Sequence, residues 1–333
     1  MPVITTTRGR SFSSTAGQSI LDAAAASGIA LPYSCRTGRC STCKCKVRSG
    51  ASTALHDELG LTAEEKAEGW ILSCVRTAED DLALDVEDLG NVKLPEAKTL
   101  PCRIHTLELL APDVMHVKLR LPPSADFTAL PGQYIDVIGP GGIRRSYSLA
   151  AADLSGKILE LHIRAVDNGA MSAYWFGQAK VNDLLRLRGP HGSFFLRPPA
   201  DQDLVFLATG TGIAPVKAML EELATLPAAA RARSVSVYWG GRTAADLYLD
   251  GAALAGARAY VPVLSRAGEE WSGARGHVQQ VLLAEGPRLA GAVVYACGSP
   301  AMIRDAKIQL VQAGLEESNF FSDAFVSSSD SDS

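Results

Sequence analysis

The sequence predicts a multidomain protein: a small α+β domain with a cysteine-rich loop, then an antiparallel β-barrel, then an open parallel α/β sheet. Three observations carry that reading. Five of the seven cysteines fall between residues 35 and 74. From Cys102 to about Pro198 the apolar runs are short and broken by turn formers (Pro122-Pro123, Pro131-Gly132, Gly139 to Gly142, Gly189-Pro190, Gly192), the spacing of a barrel. From Asp203 onward, apolar strands alternate with helical stretches, the texture of a parallel sheet. A chain of 333 residues accommodates two or three domains.

Composition narrows the function. Hydrophobic residues make up 47% of the chain, enough for a core in each domain. Lys plus Arg number 32 and Asp plus Glu 36, a net charge of -4, too near balance for a protein that coats nucleic acid. The first thirty residues show no basic segment followed by an apolar one, and no stretch approaches the roughly 20 apolar residues of a membrane helix. The expectation is a cytoplasmic protein with no membrane or nucleic-acid partner. An odd cysteine count, clustered in this way, points to a metal centre in a reducing compartment rather than to a disulfide framework.

In chain order, residues 3 to 15 read as strand. Ser19 caps a helix over Ile20 to Ala26, which Gly28 ends. Short strands are expected near Lys44 to Arg48 and Leu82 to Val86. The expected boundaries are 1–93 for the first domain, 94–100 for a linker, 101–198 for the barrel and 199–326 for the α/β domain. Strands of the last domain are expected at Leu204 to Ala208, Val235 to Trp239, Tyr260 to Leu264 and Val293 to Cys297. Residues 327–333, made only of Ser and Asp, read as a disordered tail.

Cys35, Cys40, Cys43 and Cys74 follow C-x4-C-x2-C with thirty residues before the fourth, the spacing of plant-type [2Fe-2S] centres. Four thiolates must converge on two irons, and a tight loop can supply three of them. A structural zinc site normally pairs two C-x2-C knuckles, and only one is present. Buried spare cysteines are the other reading. Cys45 and Cys102 read as packing residues.

Arg145-Ser146-Tyr147-Ser148 follows a glycine-rich turn in the barrel region, where Arg can pair with phosphate and Tyr can pack on a flat ring. His162-Ile163-Arg164 and Gly169-Ala170-Met171-Ser172 come next, the latter able to open a helix whose N-terminus accepts a pyrophosphate. Arg164 also reads as an ordinary strand residue. Thr209-Gly210-Thr211-Gly212 joins a strand to a helix, a dinucleotide-phosphate context that lacks the third glycine of GxGxxG. Cys297-Gly298-Ser299-Pro300 repeats the arrangement. Either could be a tight turn alone; both would lie at the carboxyl ends of parallel strands, where ligands bind.

These motifs together resemble the ferredoxin–NADP reductase superfamily, in the form with a plant-type ferredoxin domain ahead of the flavin and nicotinamide domains. The resemblance spans residues 1 to about 326. Within the family, the sequence is similar to the reductases that serve a pyridoxamine-phosphate (PMP)-dependent dehydrase in 3-deoxygenation of a CDP-6-deoxyhexose. Ser34 to Cys40, Leu130 to Asp136, Arg144 to Ser148 and Phe320 to Phe325 carry that likeness.

The resemblance implies a β-grasp ferredoxin domain, an FAD-binding barrel and an NAD(P)H-binding domain. It implies that Arg145, Tyr147 and Ser148 bind FAD, with Arg164, Gly169 and Ser172 near its phosphates. Gly210, Thr211, Gly212, Cys297 and Gly298 would face the nicotinamide nucleotide. Ser148, Cys297, Asp323 and Phe325 are the implied catalytic group, although plant-type reductases end at their aromatic residue and this sequence continues for eight residues past Phe325. Electrons would run from NADH to FAD to the cluster to an acceptor protein. That acceptor is the dehydrase or, alternatively, the oxygenase component of an aromatic-ring or hydrocarbon hydroxylase. A non-catalytic, cysteine-rich metal-binding module is the reading from another class.

Two charge patterns complete the expectations. The loop Gly240 to Asp246 carries one Arg and then an Asp, which favours NADH over NADPH. Residues 35–48 hold Arg36, Arg39, Lys44, Lys46 and Arg48 without an acid, and this basic cluster loop is the expected docking surface for the acceptor.

Overall fold

A computed structural model describes residues 1–254 and 256–326, so the expected tail lies outside the described residues. The chain divides into two compact units, Met1–Leu94 with Gly192–Phe194, and Pro95–His191 with Phe195 onward.

The first unit contains β1 (Val3–Thr5), β2 (Ser11–Ser13), α1 (Ile20–Ala26), β3 (Lys44–Ser49), β4 (Ser52–Ala54), α2 (Ala63–Ala67), β5 (Trp70–Leu72), β6 (Arg76–Ala78) and β7 (Leu82–Asp85). Its main sheet has the order β2-β1-β7-β3-β5, and β4 pairs with β6. The run expected as one strand over 3–15 is a hairpin, because Gly9 turns the chain and Thr6 N–H returns to the Arg10 carbonyl. Helix α1 has the expected limits: the Ser19 hydroxyl accepts from Asp22 N–H, and Ile20, Leu21, Ala23 and Ala24 face the core. That core joins Ile4, Phe12, Leu31, Leu72 and Leu84 to the cysteine-bearing segments at Cys43, Cys45 and Cys74.

The second unit opens with β8 (Lys98–Ala111), β9 (Val114–Arg120), β10 (Tyr134–Ile138), β11 (Arg144–Ser148), β12 (Ile158–Arg164), α3 (Ala170–Gly177) and β13 (Leu184–His191). All pairs in this sheet are antiparallel, in the order β11-β10-β13-β8-β9-β12, and a Leu149–Leu161 bridge brings its two edges together. Strand β8 begins at Lys98, inside the stretch expected as linker. Thr99 and Leu100 are drawn into it by pairing with Arg188 and Leu187, and Leu100 packs on the sheet's core.

The same unit continues with β14 (Asp203–Thr209), α4 (Ile213–Thr225), β15 (Ser234–Gly241), β16 (Ala259–Leu264), β17 (Ala274–Arg275), α5 (Val278–Ala284), β18 (Ala292–Gly298), α6 (Pro300–Gln312) and β19 (Phe320–Ala324). This sheet is parallel throughout, in the order β17-β16-β15-β14-β18-β19. Its central strands are apolar on both faces, as a sheet covered by helices requires. Among the described residues no helix is long and apolar enough to cross a membrane.

Candidate functional site

The four cysteines expected to hold iron converge. Cys43 Sγ lies 3.2 Å from Cys74 Sγ, and Cys35 N–H points at Cys40 Sγ from 3.4 Å. Thr37 N–H donates to Cys35 Sγ at 3.4 Å. The loop achieves this by placing Arg36, Gly38 and Ser41 in the left-handed region. Gly38 has no substitute, since a Cβ there would stand 2.4 Å from the Asp57 carbonyl oxygen. A hydrogen bond from Cys40 pulls the Cys35 thiol down to about 5, and the same contact, with burial, pushes Cys40 up. The contact between Cys43 and Cys74, with burial, likewise pushes the Cys43 thiol up and draws that of Cys74 down. Four soft donors with N–H groups aimed at their sulfurs are a donor set suited to an iron–sulfur cluster. Cys45 is fully buried in β3, with its thiol pushed up to about 12 by desolvation, and Cys102 is buried in the antiparallel sheet.

On that sheet Arg145 and Tyr147 lie on β11, half-buried. Arg145 makes no ion pair among the described residues; its Nη1 donates to the Arg144 carbonyl at 2.7 Å. Its charge is therefore left for an anion. The Tyr147 hydroxyl accepts from Trp175 Nε1 at 3.0 Å, which orients the phenol, and burial raises its pKa to about 12. Ser148 is buried at the end of β11. Helix α3 starts at Gly169 without a side-chain cap, so the N–H groups of its first turn carry no competing hydroxyl. The Ser172 hydroxyl accepts from Val166 N–H at 2.9 Å. Arg164 pairs with Asp113 at 3.3 Å and with Asp246 at 3.0 Å.

Strands β14 and β18 are neighbours, which sets the two glycine-bearing turns side by side. A Cβ on Gly212 would meet the Cys297 carbonyl oxygen at 2.2 Å, and one on Gly298 would meet Thr209 Oγ1 at 2.1 Å. Thr209 Oγ1 accepts from Ser299 N–H at 3.0 Å, and Trp239 Nε1 donates to the Gly210 carbonyl at 2.9 Å. Trp239 was not expected at the site. Thr209 belongs to the motif and was legible; Trp239, on another strand, was not. Cys297 is fully buried opposite Asp323, and burial followed by that carboxylate raises its thiol pKa well above the ordinary value. The Cys297 sulfur therefore keeps its proton. Phe325 is 38% exposed, and its N–H donates to the Gly298 carbonyl at 2.9 Å.

Three domain matches divide the chain. Residues 4–79 match the 2Fe-2S iron-sulfur cluster binding domain, 101–196 the oxidoreductase FAD-binding domain, and 206–307 the oxidoreductase NAD-binding domain. The CDP-6-deoxy-L-threo-D-glycero-4-hexulose-3-dehydrase reductase of Yersinia pestis is 42% identical over 324 residues, covering 95% of this chain and 96% of the relative. The chain belongs to the ferredoxin–NADP reductase superfamily.

Two further likenesses frame this reductase. Reductase component 1 of the terephthalate 1,2-dioxygenase of Comamonas sp is 31% identical over 318 residues, covering 94% of this chain and 93% of that one. A crystal structure of an Amycolatopsis cytochrome P450 reductase superposes with a TM-score of 0.76 at 31% identity, covering 98% and 99% of the two chains. The protein is an NADH-dependent flavin iron–sulfur oxidoreductase, and the reading as a non-catalytic module falls. After β15, Asp246 accepts from Arg242 N–H and Thr243 N–H, both at 2.9 Å, and pairs with Arg164.

Proposed function

We propose that this reductase delivers electrons from NADH to a PMP-dependent dehydrase acting on a CDP-6-deoxyhexose. The 42% identity to the Yersinia pestis reductase over nearly all of both chains carries the reading. FAD accepts a hydride and releases electrons singly, which is what a [2Fe-2S] centre can receive. Cys35, Cys40, Cys43 and Cys74 would hold the cluster within a β-grasp domain over 1–93. Arg145, Tyr147 and Ser148 would bind FAD on a barrel over 101–198, its pyrophosphate meeting α3 at Gly169 to Ser172.

In the parallel α/β domain over 199–326, the turns at Gly210 to Gly212 and Cys297-Gly298 would receive the nicotinamide nucleotide. A protonated Cys297 can donate a hydrogen bond at the reacting face, with Asp323 beside it and Phe325 as the exposed aromatic that a flat ring can displace. The preference for NADH over NADPH rests on the scarcity of positive charge in the loop Gly240 to Asp246, which carries one Arg and then an Asp. The acceptor would dock at the basic cluster loop.

The test is an anaerobic reconstitution of the full-length reductase with NADH, a purified PMP-dependent CDP-hexose dehydrase and its substrate. Formation of 3-deoxy product at a rate that rises with reductase supports the proposal. If the reductase instead drives only an aromatic-ring oxygenase component, the oxygenase reading replaces it, favoured by the 31% identity to the terephthalate enzyme.

A further inference from the structure

Strands β9 and β12 place three side chains of metal-ligating types together. His116 and His162 stand directly opposite in the antiparallel register, and Glu160, two residues before His162, shares its face. Glu160 Oε1 is 3.3 Å from His116 Nε2 and 3.4 Å from His162 Nε2, and all three donor atoms lie within 4.8 Å of one another. Zinc bound to nitrogen and oxygen at about 2.0 to 2.2 Å in a tetrahedron requires donors roughly 3.3 to 3.5 Å apart. Two edges of that tetrahedron are already at this length.

The outer nitrogens supply the second observation. His162 Nδ1 is 3.1 Å from the Tyr248 hydroxyl, and His116 Nδ1 is 3.8 Å from Glu108 Oε2. The Tyr248 hydroxyl can accept from His162 Nδ1–H, which leaves the Nε2 lone pair facing inward, the arrangement that accompanies metal-ligating histidines; Glu108, at 3.8 Å, is beyond hydrogen-bond range of His116. His116 Nε2 is buried without a hydrogen bond of good geometry, an orphan that an ion would satisfy. His116 and Glu160 retain 13% and 15% exposure of their side chains, leaving a route from solvent.

One group competes. Lys217 Nζ of α4 lies 3.1 Å from the same Glu160 oxygen, but it also holds Glu221 at 2.6 Å and the Ala150 carbonyl at 3.0 Å. It can therefore give up Glu160 and remain paired. We propose that His116, Glu160 and His162 form a zinc site with an open fourth position, in competition with the Lys217 ammonium.

The experiment uses the full-length protein with flavin and cluster bound. Zinc and iron are measured per FAD after equilibrium dialysis against graded zinc chloride. The expected result is a single zinc equivalent at unchanged iron content. His116→Gln, at the more exposed histidine, should weaken binding by about tenfold to a hundredfold. Lys217→Met should tighten it about tenfold by removing the competitor. Zinc uptake that occurs only as iron is lost would assign the metal to the cluster cysteines and overturn the proposal. So would no uptake, or equal uptake by the wild type and His116→Gln.

Discussion

At the residue scale, glycine at 212 and 298 is a steric condition for bringing together the two turns proposed to receive the nucleotide. Gly298 also has φ +134, a conformation that side-chain-bearing residues rarely adopt. Gly298→Ala should push Thr209 from Ser299 N–H and separate the turns. The expected outcome is a raised KM for NADH and a lowered Tm, with flavin and iron content unchanged; steady-state dye reduction, thermal unfolding and absorption report the three quantities. The cysteines divide in the same concrete way. Changing any one of Cys35, Cys40, Cys43 or Cys74 to Ser should remove or alter the [2Fe-2S] absorption while NADH-to-dye reduction through flavin survives. Cys45→Ala should leave the cluster spectrum intact, because that thiol is packed in β3 beside Ile71. An unaltered spectrum in Cys74→Ser would move the fourth ligand elsewhere.

At the element scale, what the sequence made legible was local. Helix α1 could be read because its cap, apolar face and glycine stop are contiguous, and the cysteine spacing because Cys35, Cys40 and Cys43 share one loop. What escaped required partners distant in sequence. Strand β8 recruited residues of the expected linker through β13, and Arg164 found Asp246 on the turn after β15. His116 meets Glu160 only because β9 pairs with β12, and no periodicity announces a register.

The Arg164–Asp246 contact yields a prediction. Burial alone would raise the Asp246 pKa, yet the Thr243 N–H, the Arg164 charge and the Arg242 N–H outweigh it and hold the carboxyl below its usual value. A depressed carboxylate stabilises the fold above its unfolded pKa, near 3.9, and that contribution fades as pH falls through the lower folded value. Asp246→Asn should therefore cost about 1 to 3 kcal/mol at neutral pH, and the deficit should shrink below about pH 4. Denaturant unfolding of both proteins across pH measures it, and a deficit independent of pH would place the effect in packing rather than charge.

At the scale of the whole molecule, two halves of the electron path lie in different units, so they can be perturbed separately. The nucleotide and flavin matches fall in the second unit and the cluster match in the first, whose basic loop is the proposed meeting place for an acceptor. The structure weakens the field expected there. Arg36 pairs with Asp22, Lys44 with Glu65 at 2.8 Å and Arg48 with Asp85 at 3.0 Å. Paired surface charges project little beyond the Debye length of about 8 to 10 Å at physiological salt. Lys44→Glu is also a poor probe, since it would set two acids together beside α2.

Lys46 is the better choice: its ammonium lies 5.5 Å from the Trp70 ring centroid, with no ion pair among the described residues. Reversing Lys46 and Arg39 to Glu should slow electron delivery to the acceptor several-fold and leave NADH-to-dye reduction unchanged. Added salt should slow the wild-type acceptor reaction and affect the doubly reversed protein less, because less attraction remains to screen. Stopped-flow reduction of the acceptor at low and high ionic strength separates these outcomes. A rate indifferent to both the substitutions and the salt would move the docking surface away from the cluster loop.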